Sequence, residues 1–146
     1  MKLRPFFSIV CGGLITDTNG LIRAETTTGG GYHNNEKCTW LIRFPIGQRV
    51  SIQFTTFRLE YTAGCQYDFL EIRDGISANS ALVGRFCGSI KPPPYISTGN
   101  TLNITFVTDY SLNYDGFAMS YTNAAPRMYL ILNLKFTHVC VRFYCG

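Results

Sequence analysis

The chain is predicted to be an all-β protein, a two-sheet antiparallel β-sandwich. Three observations predict it. Apolar and polar residues alternate with period two in one segment after another, as half-buried strands require. Turn signals punctuate the 146 residues at short intervals: Asn19-Gly20, Gly29-Gly30-Gly31, Pro45 to Gly47, Asp74-Gly75, Pro92-Pro93-Pro94 and Asp115-Gly116. No long stretch carries a helical period. Many short strands between frequent turns bury their apolar faces most simply by stacking two sheets. Eleven Phe, nine Tyr and one Trp supply the core, and a chain this apolar is not disordered as a whole. Its length suits one domain with flanks.

The elements follow in chain order. Residues 1–10 open with Lys2 and Arg4 and then turn apolar, like the start of a signal peptide. The apolar stretch is short and no cleavage site precedes Cys11, so these residues are set aside as an N-terminal flank and the chain is read as a piece of a longer secreted protein. The first strand candidate is Cys38 to Phe44, with Trp40, Ile42 and Phe44 on one face. Next comes Arg49 to Phe54, with Val50, Ile52 and Phe54 inward. A shorter one spans Leu82 to Cys87. Thr101 to Val107 follows, with Leu102, Ile104 and Phe106 inward, and Phe117, Met119 and Tyr121 close the domain near residue 123. Residues 124–146 change character: Met128 to Phe136 is apolar with no partner in a closed sandwich. That segment is read as a tail of doubtful order and an aggregation liability. An immunoglobulin-like sandwich is a poorer fit, because Trp40 lies only two residues after Cys38.

Charge and cysteine content narrow the function classes. The net charge of +4 comes from the ends, at Lys2, Arg4, Arg127, Lys135 and Arg142. Between Cys11 and Asn123 the acidic residues outnumber the basic ones by one. A nucleic-acid binder carries a basic stripe on the fold itself; here Arg43, Arg49, Arg58, Arg73 and Arg85 stand singly. No apolar run is long enough for a membrane span. The six cysteines are Cys11, Cys38, Cys65, Cys87, Cys140 and Cys145. None forms a CxxC pair or a zinc-like cluster. Their even number suits disulfides in an oxidising compartment, with the pairing left open by spacing alone.

Three acids stand out as candidate ligands. Glu60 precedes Cys65, Asp68 follows it, and Asp109 lies downstream in Phe106-Val-Thr-Asp109-Tyr-Ser111. Carboxylates with loop carbonyls suit a hard cation, and calcium takes about six to eight oxygens in a flexible geometry. Without a cation, three close carboxylates repel one another.

These residues also carry a family resemblance. Cys11-Gly12-Gly13, Tyr32, Cys38-Thr39-Trp40, Glu60, Cys65-Gln66-Tyr67-Asp68, Asp74-Gly75, Cys87-Gly88, Asp109 and Gly116-Phe117 together resemble a CUB domain of the calcium-binding subclass. The resemblance covers roughly residues 11–122. It implies a sandwich of jelly-roll type and the disulfides Cys11–Cys38 and Cys65–Cys87, and it leaves Cys140 and Cys145 outside the pattern. It implies calcium ligation by Glu60, Asp68 and Asp109 with the backbone carbonyls at Ser111 and Leu112. Tyr32 matches a tyrosine that hydrogen-bonds the ligand carboxylates. In such domains a partner's lysine or arginine docks on the ligand carboxylates, which implies a contact set of Tyr32, Glu60, Asp68 and Ser111 and an extracellular protein partner. Tyr110 and Tyr114 flank that contact set. One departure is the loop Thr26-Thr-Thr-Gly-Gly-Gly31, which replaces the usual Ser-Pro-Asn-Tyr-Pro and leaves the segment before Tyr32 more flexible.

The function expected is thus an extracellular, calcium-dependent interaction module within a multidomain protein. The alternatives are a structural spacer in a larger secreted protein, or a glycan-binding module of spermadhesin type. No enzyme is expected. His33 and His138 are the only histidines, and no Gly-x-Ser-x-Gly nucleophile motif occurs. Asn103-Ile104-Thr105 is an N-glycosylation sequon. With Leu102, Ile104 and Phe106 inward, Asn103 is expected to face out.

Overall fold

The computed structural model describes residues 11–124. The flank at 1–10, and with it His138, Cys140, Cys145 and the rest of 125–146, lie outside the described residues. Nine strands occur: β1 (Gly12–Ile15), β2 (Asn19–Arg23), β3 (Lys37–Arg43), β4 (Arg49–Arg58), β5 (Phe69–Asp74), β6 (Ala81–Phe86), β7 (Tyr95–Ile96), β8 (Thr101–Val107) and β9 (Gly116–Ala124). They form a five-stranded sheet of order β1-β3-β8-β5-β6 and a four-stranded sheet of order β2-β9-β4-β7. The predicted sandwich is the observed architecture. No helix among the described residues is long and apolar enough to cross a membrane.

The period-two pattern works as expected in the central strands. Ile42, Leu102, Ile104, Phe106, Leu70 and Ile72 of the five-stranded sheet meet Val50, Ile52, Phe54, Phe117, Met119 and Tyr121 of the other. All of them are buried. Edge-to-face aromatic pairs link the layers, with Phe106 and Phe117 centroids 5.2 Å apart, Trp40 and Phe117 5.9 Å, and Tyr32 and Phe106 5.4 Å. This geometry sets positive ring edges against negative faces.

Three expectations need correction. First, the sandwich is not wholly antiparallel: β1 runs parallel to β3, with Gly12 opposite Thr39 and Ile15 opposite Ile42. The Cys11–Cys38 disulfide starts both strands on the same rung, which forces the parallel direction. Second, Asn19-Gly20 is no turn but the beginning of β2. Gly20 lies opposite Tyr121, whose ring occupies the space a Cβ would need. The glycine is there for close approach rather than for a bend. Third, Asn103 leaves the core face as the alternation requires, yet only 6% of it is exposed. The loop after β5 folds over it, and its Nδ2 donates to the Ile76 carbonyl at 3.3 Å while Oδ1 accepts from Thr105 at 3.1 Å. In the folded domain the sequon amide is engaged rather than presented.

The second disulfide, Cys65–Cys87, ties the loop after β4 to the end of β6. Both pairings agree with the family expectation. Cys11 and Cys38 are 27 residues apart, so cross-linking them restricts the unfolded chain by about 3–4 kcal/mol. Replacing both by serine is expected to lower stability by that amount and to free β1. The check is the urea midpoint together with amide exchange in Gly12–Ile15; a loss below about 1 kcal/mol would contradict it.

Candidate metal centre

The three predicted acids sit at one end of the sandwich, each just beyond a strand. Glu60 lies two residues past β4, Asp68 immediately before β5, and Asp109 two residues past β8. β5 and β8 are neighbours, with Phe69 opposite Val107, so Asp68 and Asp109 leave the sheet side by side. The Asp109 backbone N–H donates to Asp68 Oδ1 at 2.7 Å. Glu60 comes from the other sheet. Its segment is held by Leu59 N–H donating to the Gly88 carbonyl at 2.8 Å and by the adjacent Cys65–Cys87 bridge. One carboxylate oxygen from each of Glu60, Asp68 and Asp109 falls within 4.8 Å of the others.

Tyr32 organises the cluster from the β2–β3 loop. It is fully buried. Its hydroxyl donates to Asp68 Oδ2 at 2.5 Å and accepts from the Glu60 backbone N–H at 3.1 Å. The Leu112 carbonyl lies 3.3 Å from the same hydroxyl, whose single proton is already on the shorter bond to Asp68. The segment before Tyr32 is bonded through its backbone. Thr27 N–H donates to the Gly31 carbonyl at 2.8 Å, and Tyr32 N–H donates to the Tyr114 carbonyl at 2.9 Å.

The electrostatics of Glu60 and Asp68 follow from burial and from the neighbouring carboxylates. Burial pushes the Glu60 carboxyl above its ordinary range, and the charges of Asp68 and Asp109 push it further. Asp68 is raised chiefly by burial, then partly relieved by the bonds from Tyr32 and the Asp109 N–H, and raised again by the Asp109 charge. The Tyr32 hydroxyl is itself driven well above the usual phenol range by burial and by its bond to Asp68. One atom has no partner at all: Glu60 Oε2 is buried with no hydrogen bond among the described residues. An unsatisfied buried oxygen costs about 1–3 kcal/mol, and more if charged.

The donor set therefore fits a hard cation on chemical grounds. All side-chain donors are oxygens, no histidine joins them, and the nearby Cys65 and Cys87 sulfurs are spent in a disulfide. Leu112 holds a left-handed backbone, φ 53°, which for a γ-branched residue is uncommon. Ser111 N–H donates to Asp109 Oδ1 at 2.9 Å. Ser111 is thus tied to Asp109 through its N–H, and the Leu112 carbonyl faces the Tyr32 hydroxyl. A second grouping, Cys11, Glu36 and Cys38, also converges, but its sulfurs are joined in a disulfide and offer no thiolate.

The residues of the expected partner contact set differ in exposure. Tyr32 and Asp68 have no exposed surface and Glu60 is 7% exposed. Tyr32 and Asp68 lie beneath the surface, bonded to each other and to the backbone N–H groups of Glu60 and Asp109. Asp109 and Ser111 are half-buried and stand nearer solvent. Two features escaped the sequence reading. Thr108 is buried; its hydroxyl donates to the His33 carbonyl at 2.8 Å and accepts from Glu36 N–H at 2.9 Å, fastening the Tyr32 loop beside Asp109. Next, Tyr61, Tyr67 and Tyr110, each adjacent in sequence to one of the three acids, are exposed, as is Leu112. The adjacency of tyrosine to each acid is a readable signal; of the three, Tyr67 stands among the family landmarks and Tyr110 flanks the expected contact set. Tyr114, its expected companion, is half-buried and stacks under the Arg58 guanidinium at 5.2 Å.

Comparison with known proteins agrees with this architecture. The chain is 38% identical to human cubilin over 116 residues, covering 77% of this chain and 3% of cubilin. It superposes on the full extracellular region of zebrafish Gpr126/Adgrg6 with a TM-score of 0.69 and 32% identity, covering 79% of this chain and 15% of that one. The MASP-1 CUB2 domain bound to Ca2+ gives a TM-score of 0.66 and 28% identity, covering 77% of this chain and 98% of that domain. The chain thus spans a small part of the large relatives it matches. Its two closed disulfides and these extracellular counterparts place the domain in an extracellular setting. The sequence pattern of the CUB domain matches residues 11–121, and the chain belongs to that family.

Proposed function

We propose that this domain is a calcium-dependent interaction module that holds a basic side chain of a protein partner at its acidic end. The observation that carries the reading is Glu60 Oε2, buried without a partner where three carboxylates converge. Glu60, Asp68 and Asp109 would hold the ion, with the Ser111 and Leu112 carbonyls beside them. Calcium supplies positive charge that offsets the mutual repulsion of the carboxylates. The MASP-1 CUB2 domain, which binds Ca2+, supports the same reading here. With three carboxylates the occupied site stays net acidic, so an ammonium or guanidinium arriving from solvent is attracted. It meets Asp109, Ser111 and the exposed rim of Tyr61, Tyr67 and Tyr110, where aromatic faces favour a cation as well. Because Tyr32 and Asp68 are fixed in advance, less side-chain freedom is lost on binding. The role proposed is recognition without turnover, as one module of a larger extracellular protein.

Calorimetric titration of calcium into the disulfide-bonded chain tests the metal reading. Saturable binding in the range of about 0.1–1 mM is expected, and Asp109→Ala should abolish it. Absence of saturable heat in the wild type would refute the site. A lysine-bearing peptide then tests the second half. Its binding should need calcium and fall with salt, whereas binding that survives chelation would refute the calcium dependence.

A further inference from the structure

The outer face of the five-stranded sheet carries a second charged site, which starts on the rung next to the acidic end, extends away from it, and is unused by the function above. The strand register builds it in rows. Lys37, Val107 and Phe69 align across β3, β8 and β5; Thr39, Thr105, Glu71 and Arg85 align across β3, β8, β5 and β6; Leu41, Asn103 and Arg73 form the third row. The loop after β5 rises beside these rows and supplies Ala78 as a wall. A concavity of ≈ 290 Å³ results, lined among others by Lys37, Thr39, Glu71, Arg73, Arg85 and Thr105.

Its charge is arranged in depth. Glu71 lies lowest, its side chain 12% exposed, while Arg73 is 26% and Arg85 42% exposed. Arg73 Nε donates to Glu71 Oε1 at 2.7 Å, and Arg85 donates to Oε2 through Nε at 3.1 Å and Nη2 at 2.8 Å. Arg73 Nη1 also donates to the Ser80 carbonyl at 3.0 Å, and the Arg85 guanidinium stacks over Phe69 at 4.0 Å. Both guanidiniums are therefore held still, each with donor capacity left toward solvent. Lys37 has no ion pair among the described residues. Three cations over one sunken carboxylate leave the face positive toward an arriving ligand.

The layout selects the ligand class. Lys37 on β3 and Arg85 on β6 are separated by three strand spacings, roughly 14 Å between backbones. One small anion cannot span both, whereas a chain bearing repeated anionic groups can. The Arg85 guanidinium covers the Phe69 ring, and Ala78 and Val107 add shallow apolar surface beside it. Across it runs a row of hydroxyls, Thr39 and Thr105. Thr105 donates to Asn103, so the 3.2 Å contact between Thr39 and Thr105 has Thr39 as donor, which leaves Thr39 Oγ1 as an acceptor for a ligand hydroxyl. Fixed cations flanking hydroxyl-bonding groups match a stiff, sulfated sugar chain. We propose that this face binds a sulfated polysaccharide, independently of calcium and of the acidic end.

Isothermal titration of the disulfide-bonded full chain with a heparin hexasaccharide, in chelator, tests this. Binding that weakens steeply with salt is expected, and Lys37→Glu and Arg85→Gln should each weaken it about tenfold, as loss of a close charge contact does. Asp109→Ala should leave it unchanged. Arg85→Gln disturbs the Glu71 bridge, but Lys37 makes no side-chain bond among the described residues, so Lys37→Glu with an unchanged thermal midpoint keeps the test decisive. Binding that persists in both variants would assign it to the basic ends of the chain and overturn the proposal. So would absence of binding by the wild type, or equal binding of fully desulfated heparin. Equal binding of polyglutamate of matched charge would overturn the sugar assignment in favour of an acidic peptide.

Discussion

Truncating Tyr32 to alanine is expected to remove about 3–5 kcal/mol of stability, the range for deleting a buried aromatic side chain. Tyr32 heads the residues with no exposed surface and packs edge-on to Phe106. Its loss opens a cavity at the acidic end and strips Asp68 of a donor at once. Tyr32→Phe separates the two effects. It keeps the ring and removes only the hydroxyl, leaving a buried carboxylate oxygen and the Glu60 N–H without their partner. That change should cost about 1–3 kcal/mol and also weaken calcium binding, because Asp68 loses its fixed orientation. Urea midpoints at unchanged m value, with calcium titrations of each variant, make the check. A Tyr32→Ala protein within about 1 kcal/mol of wild type would show that the hydroxyl network and its packing are dispensable.

The second large effect concerns Glu60 and reverses the usual response of a protein to acid. Its carboxyl is raised in the folded state by burial and then by Asp68 and Asp109. A raised acid means that the folded state binds more protons than the unfolded state between the ordinary and the shifted value. In chelator, this group's contribution to stability therefore falls as pH rises through that window, and the penalty persists above it. Glu71 has the opposite sign. Burial raises it, but the bonds and charges of Arg85 and Arg73 outweigh burial and hold it low, so its contribution is lost as pH falls below the ordinary range. Comparing wild type with Glu60→Gln isolates the first effect. At about pH 7 in chelator, Glu60→Gln should melt higher than wild type, and the difference should vanish in mild acid. Calcium should invert the order: at about a hundredfold excess over Kd the wild type gains about 2.7 kcal/mol and the variant gains little. A metal-free Glu60→Gln protein that melts lower than wild type at neutral pH would contradict the assignment of Glu60 as a repelled, unpaired carboxylate.

Much of this was legible before the structure. The alternating runs in β4, β8 and β9 identify themselves, because a strand with one buried face cannot hide a period of two. β1, β2 and β7 are short, and their pairing depends on distant partners. Gly12–Ile15 shows no alternation and owes its place to a disulfide, so local pattern has little to reveal there. At the acidic end, Glu60, Asp68 and Asp109 were readable as a set through the landmarks around them. That Asp68 and Tyr32 lie wholly beneath the surface was not, since burial at a loop junction is decided by which other loops arrive. Thr108 illustrates the point: its role exists only once the His33 segment lies against it. Asn103 illustrates the converse. Its side of the strand was correctly inferred, but exposure also depends on the loop around Ile76, which no alternation encodes.

The parallel pairing of β1 with β3 has a further consequence for any larger assembly. Because Cys11 is locked beside Cys38, the polypeptide enters the domain on the rung of Phe106, at the acidic pole. β9 begins at Gly116 opposite Arg58 and runs away to Ala124 opposite Arg49, so it ends at the other pole, roughly 26 Å along the strand from its start. Entrance and exit at opposite poles thread such domains in series, like beads on a cord. A domain joined ahead of this one would attach at the pole that holds the carboxylates, and one joined behind at the pole opposite them.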